Sequence, residues 1–147
     1  MIIGEHRHTI DNKNRLSIPA KFRQEIGNKI VITPGLDSCL FVFAMKEWEK
    51  ISENLSVTGS SMLQADNRSF NRYLLGGAVE AEVDNVGRML IPEHLREHAK
   101  LGNKVALIGV KDRIEIWDET IWQSYRKEVE RKADALAEKL GQAGMSL

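Results

Sequence analysis

The chain has 147 residues, which suffice for one domain or for two small domains that share a core, and 21 basic residues balance 21 acidic ones. A net charge of zero gives no global sign of a nucleic-acid partner, because proteins that bind nucleic acids usually carry a basic excess. No apolar run reaches the roughly 18 residues of a membrane helix, and the first residues lack a signal-peptide pattern, so we expect a cytoplasmic protein without membrane contact.

The first predicted elements are two short strands joined by a three-residue turn. Residues 7–10 alternate between polar and apolar, and residues 15–18 form the second strand. Asp11 precedes the turn and Asn14 is its last residue, a place that is often left-handed and that asparagine tolerates. The pattern therefore predicts a β-hairpin with Asp11 on one side of the tip and Arg15 on the other.

A helix and two further strands follow. Pro19 opens the helix, because proline is favoured at the first helical position, and Gly27 is a natural stop. After a strand at residues 27–32, the apolar run 39–43 predicts another strand, in which the single cysteine, Cys39, is expected to be a small core residue. A helix that carries Trp48 completes the unit.

The same series of elements occurs twice. Residues 11–19, DNKNRLSIP, recur as residues 84–92, DNVGRMLIP, and an apolar residue and an arginine follow at the same offset, ending in Arg23 and Arg96. Such a repeat indicates two copies of one β-turn-β-α-β-β-α unit, here called copy one and copy two. Four short strands bury too little surface alone, so we expect an α+β fold in which the copies intertwine.

Copy two has an equivalent for each key residue of copy one. Asp84 and Arg88 flank its turn, Gly87 takes the left-handed place, Pro92 opens its helix with Gly102 as the expected stop, and Trp122 matches Trp48.

The boundaries of the copies follow from this correspondence. We expect copy one over residues 5–52, a linker over 53–80, copy two over 81–124 and a helical extension over 125–147.

The linker and the C-terminal end contain two further predicted helices. Residues 56–66 predict a loop, after which Asp66 caps a helix that runs through Leu75 and ends at Gly76 and Gly77. Its expected inward residues are Phe70, Tyr73 and Leu74. A long helix from residue 119 to 140 carries an apolar stripe, which packs either on a neighbouring subunit or the linker helix, or elsewhere within its own chain. The stripe comprises Trp122, Tyr125, Val129, Ala133, Leu136 and Leu140.

The repeated Asp-x-x-x-Arg element has two interpretations. Asp11–Arg15 and Asp84–Arg88 are either exposed ion pairs that only lock the turns, or devices that orient an arginine at a tip where it can take guanine or phosphate. The charge around the two tips differs. Copy one is locally basic through Arg7, Lys13, Arg15, Lys21 and Arg23, whereas the matching stretch of copy two has more acidic residues than basic ones.

Other candidate sites are weaker. His94-x-x-Glu97-His98 matches a metalloprotease pattern, but the predicted helix is short and copy one has no equivalent histidines. His6 and His8 share one strand face opposite Arg7 and suggest a surface pair, too few for a metal site. No phosphate-binding glycine loop and no nucleophile context are visible, so no cofactor, metal, small-molecule substrate or enzymatic activity is expected.

The doubled motif, DNKNRLSIP-AKFR and DNVGRMLIP-EHLR, resembles the MraZ family of bacterial transcriptional regulators, within the wider AbrB-like swapped-hairpin class. The resemblance covers residues 5 to about 140 and implies an AbrB-like pseudo-dimer within one chain. It also implies rings of several subunits that bind short direct repeats in double-stranded DNA. Those repeats lie upstream of the cell division and cell wall gene cluster, whose transcription the family controls.

The resemblance links the Asp-x-x-x-Arg elements to DNA contact, and one departure is Asn14, where the family usually has glycine. The expected DNA-binding residues are Arg7, Asp11, Lys13, Arg15, Asp84 and Arg88. The turn and fold residues are Asn14, Pro19, Gly87 and Pro92. Because copy one is more basic, we expect it to make most of the DNA contact, in a nucleoid-associated repressor.

Overall fold

The computed structural model describes residues 1–57 and 62–147, which form eight strands and five helices of an α+β fold. The elements are β1 (Ile2–Thr9), β2 (Arg15–Ser17), α1 (Ala20–Ile26), β3 (Lys29–Pro34), β4 (Leu40–Ala44), α2 (Met45–Val57), α3 (Ala65–Leu74), β5 (Val79–Glu82), β6 (Arg88–Leu90), α4 (Glu93–His98), β7 (Lys104–Lys111), β8 (Arg113–Asp118) and α5 (Glu119–Gln142). The predicted order of elements is present in each copy, and α3 lies between the copies. Trp48 and Trp122 occupy equivalent places, each as the fourth residue of its helix, on α2 and α5.

The strands of one copy pair mainly with those of the other. Six strands form one largely antiparallel sheet in the order β1-β7-β8-β4-β3-β5. Among the strands of residues 1–57 and 62–147, only the hairpins β3–β4 and β7–β8 join neighbours within a copy. The equivalent strands of the two copies are β1 and β5, β2 and β6, β3 and β7, and β4 and β8. If each strand is replaced by its equivalent, the order of the sheet is reversed and every pairing is retained, so the topology of the sheet has an internal twofold relation. The two copies therefore intertwine, as expected.

The predicted hairpin between the first two strands of each copy is wrong, although its turn is present. The main-chain nitrogen of Asp11 donates to the Arg15 carbonyl at 3.0 Å, and the chain then separates, since Ile10 donates to Asn103 of copy two at 2.7 Å. An isolated two-stranded hairpin is marginal in water because it buries little apolar surface. Pairing across the copies brings the apolar residues of both second strands into one core instead.

The second strands form a separate two-stranded sheet, here called the β2–β6 ribbon. Leu16 lies opposite Met89, and both side chains are buried in the central core. Because side chains alternate along a strand, the residues on either side of them point outward. These outward residues are Arg15, Ser17, Arg88 and Leu90.

The short helices begin where the prolines predict, one residue later. Pro19 and Pro92 are the N-cap residues of α1 and α4. Gly27 ends α1 at a φ of 77°, as expected. Gly102 does not end α4: the helix stops at His98, and Lys100 takes the left-handed conformation at a φ of 53°. The C-terminal end of α4 is closed before Gly102, because the main-chain N–H of Leu101 donates to the Arg96 carbonyl at 3.0 Å in a Schellman-type bond.

The linker differs from its prediction in three respects. Of the expected loop at 56–66, helix α2 already covers residues up to Val57, and residues 58–61 lie outside the described part. Gln64 is the N-cap residue of α3, so Asp66 falls inside the first turn and caps nothing. Leu74 is buried, but Phe70 is 38% exposed. The Tyr73 hydroxyl donates to the Gly35 carbonyl and so attaches α3 to the residue that follows β3. The ring of Phe70 stacks on that of Tyr73.

Helix α5 packs on its own chain only through its first turns. Asp118 caps it, with Oδ2 accepting from Thr120 N at 3.2 Å. The rings of Trp122 and Tyr125 lie 5.2 and 4.7 Å from that of Trp117. Residues 131–142 are all exposed, so packing within the chain accounts for only the first part of the apolar stripe. Within residues 1–57 and 62–147, no helix is both long and apolar enough to cross a bilayer.

The shared core predicts a strong effect of truncating either central residue of the ribbon. Leu16→Ala and Met89→Ala should each lower the free energy of unfolding by about 2–5 kcal/mol, since each leaves a cavity among residues of both copies. The double variant should lose less than the sum, because the two side chains are neighbours. Urea unfolding followed by tryptophan fluorescence measures all three. A loss below ~1 kcal/mol in both single variants would show that the ribbon is not part of the core.

Candidate nucleic-acid interface

The copy-one turn is organised by one carboxylate. Asp11 Oδ1 accepts the main-chain N–H groups of Lys13 and Arg15, both at 2.9 Å, and Oδ2 accepts Arg15 Nε at 2.8 Å. Asn14 closes the turn by donating its N–H to the Asp11 carbonyl at 3.0 Å, with a φ of 64°. The predicted left-handed residue and the predicted aspartate–arginine pair are both present.

Copy two repeats this geometry almost atom for atom. Asp84 Oδ1 accepts the N–H groups of Val86 and Arg88, and Oδ2 accepts Arg88 Nε, each at 2.9 Å. Gly87 has a φ of 85°. The Asp-x-x-x-Arg spacing thus encodes a turn in which one carboxylate both caps the backbone and holds an arginine.

Both carboxylates are kept ionised by these bonds. The hydrogen bond from the Arg15 main chain, joined by those from the Arg15 side chain and the Lys13 main chain, holds the pKa of Asp11 below its ordinary value of 3.8. The main-chain bond from Arg88 is the largest cause of the lowered pKa of Asp84. The arginines therefore keep a charged partner at any pH near neutrality.

The two arginines lie on the same outward face of the β2–β6 ribbon. Arg15 is opposite Leu90 and Arg88 is opposite Ser17, so the two arginines are diagonal neighbours with Cα atoms ~7–8 Å apart. Their side chains are 31% and 30% exposed. Each Nε is bound to its aspartate, and the terminal nitrogens have no hydrogen-bond partner in the described residues. The face thus offers two oriented guanidinium groups to a ligand.

The two turn tips differ in the residues around the arginines. Lys13 is at the tip of copy one, where copy two has Val86, whose side chain is 67% exposed. Leu90, beside Arg15 on the ribbon, is also largely exposed. The aspartate–arginine pair is the same at both tips, which differ in charge and polarity.

Two further arginines lie at the turns and were given no role from the sequence. Arg96 Nη1 donates to the side-chain oxygen of Asn14, so copy two's helix α4 contacts copy one's turn. Reciprocally, the guanidinium of Arg23 occupies the space that a Cβ on Gly87 would need. The signal that could have found them was present, since both follow the motif at the same offset.

Comparison with known proteins identifies the family. The family model described as "MraZ protein, putative antitoxin-like" matches residues 1–72 and 74–142. The chain belongs to the MraZ family. It is 49% identical over 140 residues to a protein of Caldanaerobacter subterraneus subsp. tengcongensis, covering 95% of this chain and 96% of the relative. A protein of Acetivibrio thermocellus is 41% identical over 145 residues, covering 99% of this chain and all of the relative. Both carry the name "Transcriptional regulator MraZ", which supports a transcriptional regulator and points to a non-enzymatic role.

Arg7 is not brought to the turns of this MraZ-family chain. Its Nη2 lies 2.7 Å from Glu5 Oε1, and Glu5 also pairs with Arg126 of α5 at 3.2 Å. The surface pair expected at His6 and His8 is wrong, because both face inward and are half-buried. The His6 ring packs edge-on against Phe22 at 4.9 Å, and burial, with His6 beside it, lowers the pKa of His8.

The histidines of the metalloprotease pattern have separate partners. His94 Nε2 lies 3.2 Å from the Gly77 carbonyl, and His98 Nε2 lies 3.2 Å from the Tyr73 hydroxyl. Among residues 1–57 and 62–147, no three histidine, cysteine or acidic side chains are grouped closely enough to hold a metal ion. In this MraZ-family chain, the two histidines attach α4 to the linker.

The lowered carboxyl pKa values predict an acid-dependent part of the stability. A group whose pKa is depressed by folding stabilises the protein above its unfolded pKa, and this stabilisation is lost as the pH falls through the folded value. We therefore expect the double variant Asp11→Asn/Asp84→Asn to be less stable than the parent at neutral pH. As the pH is lowered below about 5, the double variant should lose less stability than the parent. Thermal unfolding across that range measures it, with Asp134→Asn on the exposed part of α5 as the control. Parallel curves for parent and double variant would contradict the role assigned to the carboxylates.

Proposed function

We propose that this chain is a sequence-specific, DNA-binding transcriptional regulator and that the outward face of the β2–β6 ribbon contacts the duplex. The observation that carries the proposal is the shared placement of Arg15 and Arg88. Each is held by Nε on an ionised aspartate at an outward position of the ribbon, and its terminal nitrogens have no hydrogen-bond partner in residues 1–57 and 62–147. The names of the relatives support the regulatory role.

The dimensions and chemistry of the ribbon suit a groove of B-DNA. The major groove is about 12 Å wide and admits a two-stranded β-ribbon. An arginine there makes its most specific contact as a bidentate donor to O6 and N7 of guanine, and the same fork also fits phosphate. Fixing Nε before binding leaves fewer rotamers to be lost, so the aspartates preorganise both contacts.

Unequal use of the two copies follows from the residues around the arginines. The aspartate–arginine geometry is the same in both, so it gives neither copy an advantage, and the charge of neighbours such as Lys13 and Val86 is one source of a difference in DNA contact. Lys13 adds a positive charge at the tip of copy one, and Val86 adds none at the tip of copy two. We infer that copy one makes most of the contact, with copy two used more for fold and assembly, and that Arg7 contributes at most to the long-range field.

Assembly would compensate for a neutral chain that binds weakly. We propose a homo-oligomeric ring that presents several ribbons to short direct repeats, since linked sites gain avidity by ~10²–10⁴ without new contacts. By its resemblance to the MraZ family, the ring would repress the cell division and cell wall gene cluster, including its own gene, as a nucleoid-associated protein of the cytoplasm.

An antitoxin-like module that binds DNA and a second protein is the alternative, and the words "antitoxin-like" in the family description favour it. Such modules usually hold the toxin with a tail that folds on binding. Here α5 is a continuous helix to Gln142, which favours the regulator. A gel shift with the duplex just upstream of the chain's own coding sequence, without any second protein, tests the proposal. Absence of a shift at micromolar protein would contradict it.

If copy one makes most of the DNA contact, equivalent substitutions in the two copies should reduce DNA affinity by different amounts. Arg15→Ala should weaken binding to that duplex by roughly 10- to 100-fold, the effect of losing one bidentate contact, and Arg88→Ala by less. Lys13→Val, which makes the copy-one tip resemble copy two, should reduce the difference between the two arginine variants. Fluorescence anisotropy titrations measure all four proteins. Equal losses for Arg15→Ala and Arg88→Ala would show that both copies contact DNA alike.

Binding through several phosphates predicts a steep salt dependence. Affinity for B-DNA should fall linearly with the logarithm of salt concentration, with a slope of about −0.9 per neutralised phosphate. For a ring on tandem repeats, the slope should become steeper as repeats are added to the duplex, and shallower when all but one are deleted. The same slope for one repeat and for several would rule out simultaneous engagement of linked ribbons.

A further inference from the structure

The contacts of Arg23 and Arg96 give the two turns different support, although their backbones are equivalent. Each turn is already tied to the other copy through its left-handed residue: Ile91 donates its N–H to the Asn14 carbonyl at 2.9 Å, and Ile18 donates to the Gly87 carbonyl at 2.8 Å. These backbone bonds are equivalent in the two copies. The side chains that reach Asn14 and Gly87 from the other copy's helix make contacts that are not equivalent.

At copy one, the contact is a hydrogen bond. Arg96, on α4 of copy two, donates Nη1 to Oδ1 of Asn14. Asn14 lies directly before Arg15, whose Nε and main-chain N–H are both bound to Asp11. The guanidinium of Arg96 thus fixes the residue that sets the backbone direction at which Arg15 leaves the turn.

At copy two, the equivalent contact is packing alone. Gly87 has no side chain, and the Arg23 guanidinium lies over its Cα in the space that a Cβ would fill. The side chain of Arg23 makes no hydrogen bond to any residue in 1–57 or 62–147, and its buried Nε is unpaired there. The Nε of Arg96 is also buried and unpaired, so the bond from Nη1 to Asn14 is what distinguishes the two arginines.

We infer that Arg96 is a positioning residue for DNA recognition, which acts through Asn14 to hold the Arg15 turn, and that Arg23 gives the Arg88 turn no such support. The inference rests on the proposed function, because it concerns how the ribbon presents Arg15 to DNA. A turn fixed before binding loses less conformational freedom in the complex. The copy that is richer in positive charge is thus also the copy whose turn is held by the additional bond.

A double-mutant cycle between Arg96 and Asn14 tests this in the full-length chain. Arg96→Met keeps the packing of the stem, and Asn14→Gly removes the acceptor while installing the residue that copy two uses naturally. Binding is measured by fluorescence anisotropy with the duplex upstream of the chain's own coding sequence. Each single variant should weaken binding roughly three- to tenfold, the range of one lost hydrogen bond, and the double variant no more than either single one.

The salt dependence separates positioning from direct contact. If Arg96 acts through Asn14, Arg96→Met leaves the slope of affinity against salt unchanged. If Arg96 binds a phosphate itself, the slope becomes shallower by about 0.9 and the loss persists in the Asn14→Gly background, which would overturn the inference. Arg23→Met is the matched control: it removes the same charge at the equivalent place and should weaken binding less than Arg96→Met.

A measurement without DNA keeps the inference separate from the proposed function. In NMR spectra of the free protein, Arg96→Met should shift the side-chain amide signals of Asn14 and speed hydrogen exchange at the Arg15 amide, and Arg23→Met should do neither. If the Asn14 side-chain signals are the same in Arg96→Met and in the wild type, the inference is overturned, even if the wild type binds DNA. If the wild type binds no duplex while these signals do move, the proposed function fails and the contact between Arg96 and Asn14 stands. If Arg96→Met does not fold, Asn14→Gly tests the same bond from the acceptor side.

Discussion

Strand pairing between the copies is the constraint on which the rest of the structure depends. Each Asp-x-x-x-Arg turn reverses the chain, but the strands that leave it separate and pair with the other copy. A three-residue strand such as β2 cannot stand alone, because it would leave its backbone groups unpaired and Leu16 exposed. Pairing β2 with β6 solves both problems, so the face that carries Arg15 and Arg88 exists only when both copies are folded together.

The left-handed turn residue connects this pairing to the proposed binding face. At Asn14 and Gly87, the backbone conformation lets the N–H close the turn while the carbonyl accepts from the residue that follows the ribbon strand of the other copy. A β-branched residue in that conformation would be strained. One conformational requirement thus serves the turn, the ribbon and the arginine that follows. Asparagine meets it with a side chain that can bind Arg96, and glycine meets it with none.

The sequence was informative wherever the physics is local. The repeat predicted the order of elements in each copy, and turn chemistry predicted the left-handed Asn14 and Gly87 and the link from Asp11 to Arg15. Pairing partners were not predictable from alternation, which is the same whether β2 meets β1 or β6. The end of α4 at His98 was not predicted, because Lys100 takes the left-handed conformation that glycine usually provides, and Gly102 was the more obvious candidate.

The roles of the more distant residues depended on three-dimensional placement. Arg23 and Arg96 were visible as a recurring pair, but only the exchange of strands brings each to the other copy's turn. Sequence position places Arg7 among the basic residues of copy one, whereas in the structure it pairs with Glu5, two residues earlier on the same face of β1. Local charge in the sequence is therefore an unreliable guide to which cations share a surface.

The exposed half of α5 is the feature that a single chain explains least. Ion pairs at helical spacing, such as Glu128 with Arg131 at 2.6 Å and with Lys132 at 2.9 Å, support a helix that contacts nothing else. Those pairs would suffice for a helix that is polar all round, yet Leu136 and Leu140 continue the apolar stripe at 41% and 50% exposure. Since packing within the chain ends near Val129, the remaining stripe favours the predicted alternative of a neighbouring subunit. A ring assembled through α5 would leave the β2–β6 ribbon free, because the helix packs mainly on β7 and β8 of the larger sheet.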